Sequence, residues 1–118
     1  MILIITNSED RTTDYFINFC HQETFRVNTD YLLIDYKFNL KSDIWMIEDK
    51  NGKIINNKMI TGAYYRRPML PKVLIEDASN EIVHDLSVEV LTLFNSFFES
   101  LDIKWLGHPH NLRNAENK

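Results

Sequence analysis

The chain has few cysteines and glycines and no excess of positive charge. Its 118 residues include a single cysteine, Cys20, so no internal disulfide can form, which is typical of a cytoplasmic protein. It has 13 basic against 17 acidic residues, whereas a general nucleic-acid binder shows a basic footprint. Only three glycines are present and none lies in the loop directly after the first apolar segment, which excludes a dinucleotide fingerprint and a P-loop there.

Long hydrophobic runs are also missing. No apolar run approaches the roughly 20 residues that a membrane-spanning helix needs. The opening residues 1–5 lack a basic region before them and are followed by polar residues, so they do not form a signal peptide. The length, with 44% hydrophobic and 25% charged residues, indicates one globular domain. We therefore predict a cytoplasmic protein that binds neither nucleic acid nor membranes.

The apolar segments that are present predict a parallel sheet. Met1–Thr6 is continuously apolar and rich in β-branched residues, which is typical of a strand buried on both faces. A helix over about 13–22, capped by Asp10, Thr12 or Thr13, and a strand over Phe25–Asn28 complete a right-handed βαβ unit. The apolar members of that helix, which we expect to face inward, are Phe16, Ile17, Phe19 and Cys20.

The spacing of apolar residues then changes, which predicts an antiparallel insertion over roughly residues 32–60. Leu32–Leu40 alternates toward its end like a half-exposed strand. Ile44–Asp49 and Lys53–Ile55 flank Asn51-Gly52, a strong short hairpin signal. Two lysines beside this turn would shield an exposed edge, yet the hairpin could also pair two copies as a homodimer.

The remaining elements complete the predicted fold. A helix over about 80–100, capped by Asp77 or Ser79, precedes a short last strand over Lys104–Leu106. We predict an α/β domain over 1–107: a mostly parallel, Rossmann-like central sheet with an antiparallel hairpin insertion and two main helices. The apolar stripe of the long helix comprises Ile82, Val83, Leu86, Val90, Leu93, Phe94, Phe97 and Leu101.

Two arginines end the strand that returns to the main sheet. Tyr64-Tyr65 is followed by Arg66 and Arg67, and Pro68 then stops the strand. In such sheets ligands bind at the carboxyl ends of the strands, and arginine suits bidentate capture of phosphate or carboxylate. Alternation along the strand predicts that one arginine faces the ligand, leaving the other to pair with a carboxylate such as Asp30. The alternative is two ordinary surface arginines.

Other polar residues are less specific. Asn28, Thr29 and Asp30 end a strand, where they either cap a turn or face a ligand. His108 and His110 would need a third metal ligand that the sequence does not place nearby, so we predict no metal site. No histidine or aspartate is spaced to activate Cys20 as a nucleophile, which indicates an inert residue.

The order of several segments resembles a known family. The apolar start, the Asn-Thr-Asp triplet, the Tyr-Tyr-Arg-Arg-Pro segment and the close of the chain resemble the N-terminal region of ATP-grasp ribosomal peptide maturases, the graspetide (microviridin-type) ligases. More distantly, the chain is similar to the pre-ATP-grasp domain of glutathione-synthetase-like carboxylate–amine ligases. The segments are Met1–Thr6, Asn28–Asp30, Tyr64–Pro68, Trp105–Pro109 and Asn114–Lys118.

The resemblance implies an activity for a longer enzyme. ATP and Mg²⁺ would convert a carboxylate of a precursor peptide to an acyl phosphate, and a hydroxyl or amine would then form an ester or amide. Residues 108–118 would open the ATP-grasp portion, with Lys118 reaching a nucleotide phosphate. Arg66 or Arg67 would lie beside the substrate or the transferring phosphate, with Asn28 and Asp30 as further candidates. The main nucleotide and metal sites would lie beyond this chain, so we expect it alone to bind no cofactor and to catalyse no ligation.

A different class of function stays open. A stand-alone α/β module could use the arginines to bind carboxylate or phosphate groups of a partner. A response-regulator receiver is excluded, because no aspartate ends the third strand of the sheet and Glu9-Asp10 lies late in the first turn.

Overall fold

A computed structural model describes residues 1–41, 44–73, 78–99 and 103–106. These residues form two sheets, two α-helices and two 3₁₀ turns, over Thr29–Tyr31 and Asn57–Met59. In chain order the elements are β1 (Ile2–Thr6), α1 (Arg11–Phe19), β2 (Thr24–Asn28), β3 (Lys37–Lys41), β4 (Ile44–Glu48), β5 (Ile54–Asn56), β6 (Gly62–Tyr65), α2 (Asn80–Glu99) and β7 (Lys104–Leu106).

The main sheet has four parallel strands in the order β2-β1-β6-β7. The apolar strand β1 lies inside the sheet, and Leu3, Ile4 and Ile5 are completely buried. The predicted α/β class and parallel sheet are therefore confirmed. Because all four strands run the same way, their carboxyl ends share one edge, and the loop after β1 lies between the ends of β2 and β6.

The predicted insertion forms a separate antiparallel sheet in the order β3-β4-β5. Gly52 has φ +84° in the turn between β4 and β5, a conformation that glycine adopts at little cost. The prediction of a strand from Leu32 was wrong, since β3 begins only at Lys37. The backbone N–H groups of Ile34 and Asp35 both donate to the carbonyl of Tyr31, which holds this segment in a turn.

The core lies between the two sheets and α2. Side chains from β1, β2 and β6 meet those of the antiparallel sheet and Phe98, which is completely buried. Aromatic rings join α2 to the insertion: the centroids of Phe38 and Phe94 lie 4.5 Å apart, and those of Trp45 and Phe97 5.3 Å apart. Burial of this aromatic surface fixes the insertion on the main sheet.

The predicted stripe of helix α2 is confirmed in part, since Val90, Phe94 and Phe97 pack against the core, but the buried face is rotated toward Phe98. Ile82 and Leu93 are 53% and 70% exposed, whereas Phe98, outside the predicted stripe, is buried. The buried face also contains Asn95, whose Oδ1 accepts a hydrogen bond from the Tyr65 hydroxyl at 2.9 Å. A pattern of apolar residues alone misses a helix face that is partly polar. The N–H of Ile82 donates to Ser79 Oγ at 3.2 Å, as expected for a cap; the alternative cap Asp77 lies outside the described residues.

Helix α1 covers the opposite side of the main sheet and starts two residues earlier than predicted. Asp10 is its N-cap, in agreement with one of the predicted alternatives. The expected inward position of Phe19 was wrong, since it is 76% exposed, whereas Phe16 is 46% exposed and its ring stacks on Tyr64 of β6, with the centroids 6.4 Å apart. The buried residue of this helix is Thr13, because the polar contacts at the N-terminus fix its rotation.

No helix among the described residues is long and apolar enough to span a membrane. The predicted domain boundary after residue 107, the pair His108 and His110, and Lys118 all lie outside the described residues.

Candidate functional site

Asp10 connects three elements at the carboxyl edge of the main sheet. Its carboxylate accepts hydrogen bonds from the Thr6 hydroxyl at the end of β1 and from the Thr13 hydroxyl in α1, both at 2.6 Å. The Thr13 N–H also donates to Asp10 at 3.3 Å, which is the N-cap interaction of α1. The aspartate is only 7% exposed, so these donors replace water around the charged group.

Arg66 supplies the counter-charge. Its Nε lies 3.1 Å from Asp10 Oδ2, and its backbone N–H still donates to the Ile5 carbonyl at 2.8 Å. Burial acts to raise the pKa of Asp10, but hydrogen bonds from Thr13 and Thr6 and the charge of Arg66 together lower it from 3.8 to about 2. Asp10 and Arg66 are therefore both charged at neutral pH and neutralise each other.

Arg67 differs sharply from the residue before it. Its φ of +41° is the left-handed region, which a residue with a side chain adopts at a cost of about 1–2 kcal/mol. The Asn7 amide Nδ2 donates to the Arg67 carbonyl at 2.6 Å, and Pro68 follows. The side chain is exposed, and its guanidinium makes no ion pair or hydrogen bond with any described residue. A strained backbone thus presents a cation that has no partner among the described residues.

The predicted difference between the two arginines is present, with a different geometry from simple alternation. Arg66 continues the strand pairing and bonds inward, whereas Arg67 turns away from the strand in the left-handed conformation. The carboxylate that pairs with Arg66 is Asp10, in place of the suggested Asp30.

Thr29 and Asp30 connect the loops at this edge to one another. The completely buried Thr29 hydroxyl lies 2.7 Å from the Met69 carbonyl and accepts from the Met69 N–H at 2.8 Å. The Asp30 carboxylate accepts from both the backbone N–H and the hydroxyl of Ser8. The backbone N–H of Lys72 donates to the Asp30 carbonyl at 2.9 Å. These bonds fix the loop after β6 against the ends of β1 and β2.

Between these loops lies an open groove of about 480 Å³. Residues 7, 9–12 and 67–69 line it. It contains Arg67 and also Arg11, the first residue of α1, which is exposed. The sequence interpretation missed Arg11, because a single arginine at the start of a helix has no distinctive spacing. The only signal available was its position directly after the candidate cap Asp10.

Asn28 and Asp30 do not line the groove. The Asn28 side chain accepts a hydrogen bond from Arg26 Nε at 2.8 Å on the edge strand β2. The Asp30 carboxylate is occupied by Ser8, and Lys118 lies outside the described residues. Of the predicted set, the structure brings Arg67 to the groove and places Arg66 beside it in the ion pair with Asp10. Ligand binding by Asn28, Asp30 and Lys118 stays a prediction.

Comparison with known proteins places this arrangement in a known fold. Neither a protein-family profile nor a curated protein sequence matches the chain. Among solved structures it is similar to the macrocyclase MdnC bound with the precursor peptide MdnA from Microcystis aeruginosa MRC, with 21% identity and a TM-score of 0.82. It shares the fold of part of this enzyme. The match covers the whole of this chain and 39% of MdnC.

Two further structures show the same fold. The macrocyclase MdnB from Microcystis aeruginosa MRC is 21% identical with a TM-score of 0.78, over 99% of this chain and 40% of that one. A RiPP-associated ATP-grasp ligase of Chryseobacterium gregarium, in complex with ADP and a leader and core peptide, is 24% identical with a TM-score of 0.74. That match covers 96% of this chain and 36% of the ligase. The fold expected from the resemblance to ATP-grasp peptide maturases is therefore confirmed.

The described residues do not fit a magnesium site. Within residues 1–41, 44–73, 78–99 and 103–106, no group of three or more His, Cys, Asp or Glu side chains is placed to hold a metal ion. The sequence also lacks a glycine-rich loop for nucleotide phosphates after β1. No chemical step through ATP or Mg²⁺ is therefore assigned to the residues of this chain.

Proposed function

We propose that the chain is the substrate-side domain of a longer ATP-dependent ligase that modifies a ribosomal precursor peptide. In the whole enzyme, a peptide carboxylate would take the γ-phosphoryl group of ATP, giving an acyl phosphate and ADP. A hydroxyl or amine of the same peptide would then displace phosphate and lose its proton, which leaves an ester or an amide. ATP and Mg²⁺ would be held by the parts of the enzyme that follow this chain.

The observation that carries this proposal is Arg67, a cation without a described partner at the strand edge of a fold shared with peptide-modifying enzymes. Fold alone does not assign function, so the site has to support it. Acyl transfer to and from phosphate develops negative charge on oxygen atoms, and a fixed guanidinium stabilises such charge. Arg67 is fixed through its backbone by Asn7 and is not neutralised by any described carboxylate. Its role is to bind the anionic group of the substrate.

The test uses the full-length protein with its precursor peptide, ATP and Mg²⁺. Product formation is followed by mass spectrometry as the loss of one water for each new bond. Arg67→Ala should lower kcat/KM about 100-fold, the usual effect of removing one oxyanion-stabilising donor. Its stability should stay unchanged, because the side chain has no described partner. Arg66→Ala should give a different loss of activity, accompanied by a lower stability.

Lys58→Ala is the matched control. Lys58 is an exposed cation outside the groove and makes no ion pair within the described part of the chain. Its loss should leave activity unchanged. Equal and negligible losses for Arg66→Ala and Arg67→Ala would show that the motif is ordinary surface. Absence of any dehydrated product from the full-length protein would favour the stand-alone binding module instead.

A further inference from the structure

We infer that Arg11 and Arg67 form a two-cation groove that binds a side-chain carboxylate of an acidic peptide. The groove is the open space between the start of α1 and the loop after β6, and Arg11 is its second, previously unsuspected cation. The inference deepens the proposed function, from which it takes the peptide nature of the ligand. The binding itself requires neither ATP nor the rest of the enzyme.

The structure describes four arginines, and two of them form ion pairs. Arg26 pairs with Asp14, and Arg66 pairs with Asp10. Arg11 and Arg67 have no carboxylate partner among the described residues, and both line the same groove. Two exposed guanidiniums that line one groove can share an anion through charge-assisted hydrogen bonds, and the anion lowers the repulsion between their charges.

The neighbouring charges leave the groove positive. Asp10 is neutralised by Arg66, which leaves Glu9 as the acid lining the groove without a described ion-pair partner. The ammonium group of Lys72 interacts electrostatically with Glu9. The pKa of Lys72 is raised, chiefly by its hydrogen bond to the Tyr31 hydroxyl, and the carboxylates of Asp30 and Glu9 act in the same direction. With Asp10 paired to Arg66, the described groove residues carry the two arginine charges against the single charge of Glu9.

The groove also offers apolar surface, which favours a carboxylate on an aliphatic stem over a bare phosphate ion. Pro68 and Met69 line it beside Arg67, and Met69 is 40% exposed. Leu70, the next residue, is 39% exposed. A glutamate or aspartate side chain presents methylene groups next to its charged end, so it can use both kinds of surface.

The walls of the groove are fixed before a ligand arrives. Asn7 holds the Arg67 carbonyl, and Thr29 holds the N–H of Met69 at 2.8 Å. Arg11 follows directly after Asp10, which is held by three side chains. Binding therefore has to order the two arginine side chains but not the loops that carry them, which lowers its entropic cost.

The experiment measures fluorescence anisotropy of the 118-residue chain with a labelled peptide that contains glutamates separated by glycine and serine. A second peptide carries glutamine at the same positions, and inorganic phosphate is added as a competitor. The acidic peptide should bind at low salt, and the glutamine peptide should bind at least about tenfold more weakly. Arg11→Ala and Arg67→Ala should each weaken binding about tenfold, as expected for one lost charge-assisted contact.

Controls keep the result interpretable. Arg11→Lys and Arg67→Lys retain the charge but lose bidentate geometry, so their affinity should fall between wild type and the alanine variants. Lys58→Ala should bind like wild type, and circular dichroism should show that all variants fold. Equal binding of both peptides, or no effect of Arg11→Ala, would overturn the inference. Displacement by phosphate at concentrations similar to that of the peptide would identify a phosphate site instead.

The experiments distinguish failure of the two-cation groove from failure of the proposed ligase function. If the chain binds the acidic peptide through Arg11 and Arg67 but the full-length protein forms no product, the groove stands and the ligase proposal falls. If ligation occurs and neither arginine affects peptide binding, the ligase proposal stands and the two-cation groove falls.

Discussion

Two neighbouring layers at the strand edge place charged residues in opposite environments. In the inner layer, the adjacent loops contribute Asp10 and Arg66, which are paired with each other and surrounded by hydroxyl donors. In the outer layer, the next residue of each loop, Arg11 and Arg67, is exposed and has no described partner. Adjacent residues in the sequence therefore have different roles. The inner pair stabilises the strand edge, and the outer pair exposes positive charge.

The consequence is a division between stability and function. Substitutions in the inner layer should lower the free energy of unfolding, because they leave buried polar groups without partners. Substitutions in the outer layer should affect binding and leave stability unchanged or improved. Each of the following experiments tests one side of this division.

The largest effect is expected for Asp10→Ala. The change removes the N-cap of α1 and leaves Thr6, Thr13 and Arg66 without their shared acceptor. Loss of a cap and of buried, charge-assisted hydrogen bonds together should lower the free energy of unfolding by about 3 kcal/mol. Urea unfolding followed by circular dichroism measures this difference.

Asp14→Ala provides the matched control for that measurement. Asp14 also lies at the start of α1 and forms an ion pair with Arg26, but its side chain is 56% exposed. An exposed pair contributes about 0–1 kcal/mol, so its loss should be small. Similar losses for both aspartates would show that the inner layer has no special stabilising role.

The next largest effect is a pH dependence of the free energy of unfolding that arises from Asp10. Its pKa is lowered from 3.8 to about 2 in the folded chain, so its charged form stabilises the fold. The contribution is fully present above the unfolded pKa of 3.8 and is lost as the pH falls through about 2. Its size is about 2 kcal/mol.

The difference in unfolding free energy between wild type and Asp10→Asn isolates this contribution from other carboxylates. The two proteins share every other titrating group, so effects common to both cancel. The difference should shrink by about 2 kcal/mol between pH 5 and pH 2. A difference that is constant with pH would mean that Asp10 is not held as a charged group by its neighbours.

The sequence predicts the strands and turns that form this edge of the sheet better than it predicts which side chains are exposed there. Apolar runs predict the buried strands, and the pattern Asn51-Gly52 predicts a hairpin, because both signals are local. Asp10 could be named as a cap for the same reason. The rotation of α2 could not be predicted in this way, since its buried face includes Asn95, which bonds to Tyr65 thirty residues away in the sequence.

The same limit of sequence-based prediction applies to the arginines of the site. Strand position predicts that Arg66 and Arg67 reach the ligand edge, because the carboxyl ends of parallel strands form the crevice. Which of them lacks a described partner depends on the left-handed turn at Arg67, which Asn7 stabilises from sixty residues away. Arg11 becomes a candidate only when the fold places it across the groove from Arg67.

The smallest effect, and the most discriminating, is expected for Arg67→Gly. Glycine adopts φ +41° without the steric cost that a side chain incurs, although it gains more freedom in the unfolded chain. The net result should be a rise in the free energy of unfolding of about 0.5 kcal/mol, while binding of the acidic peptide weakens about tenfold, as for Arg67→Ala. Arg66→Gly is the matched control: it should lower stability, because it removes the ion pair with Asp10 and weakens the strand end. Equal destabilisation by the two glycine substitutions would show that Arg67 is held by its own contacts, and the distinction between the inner and outer layers would then be lost.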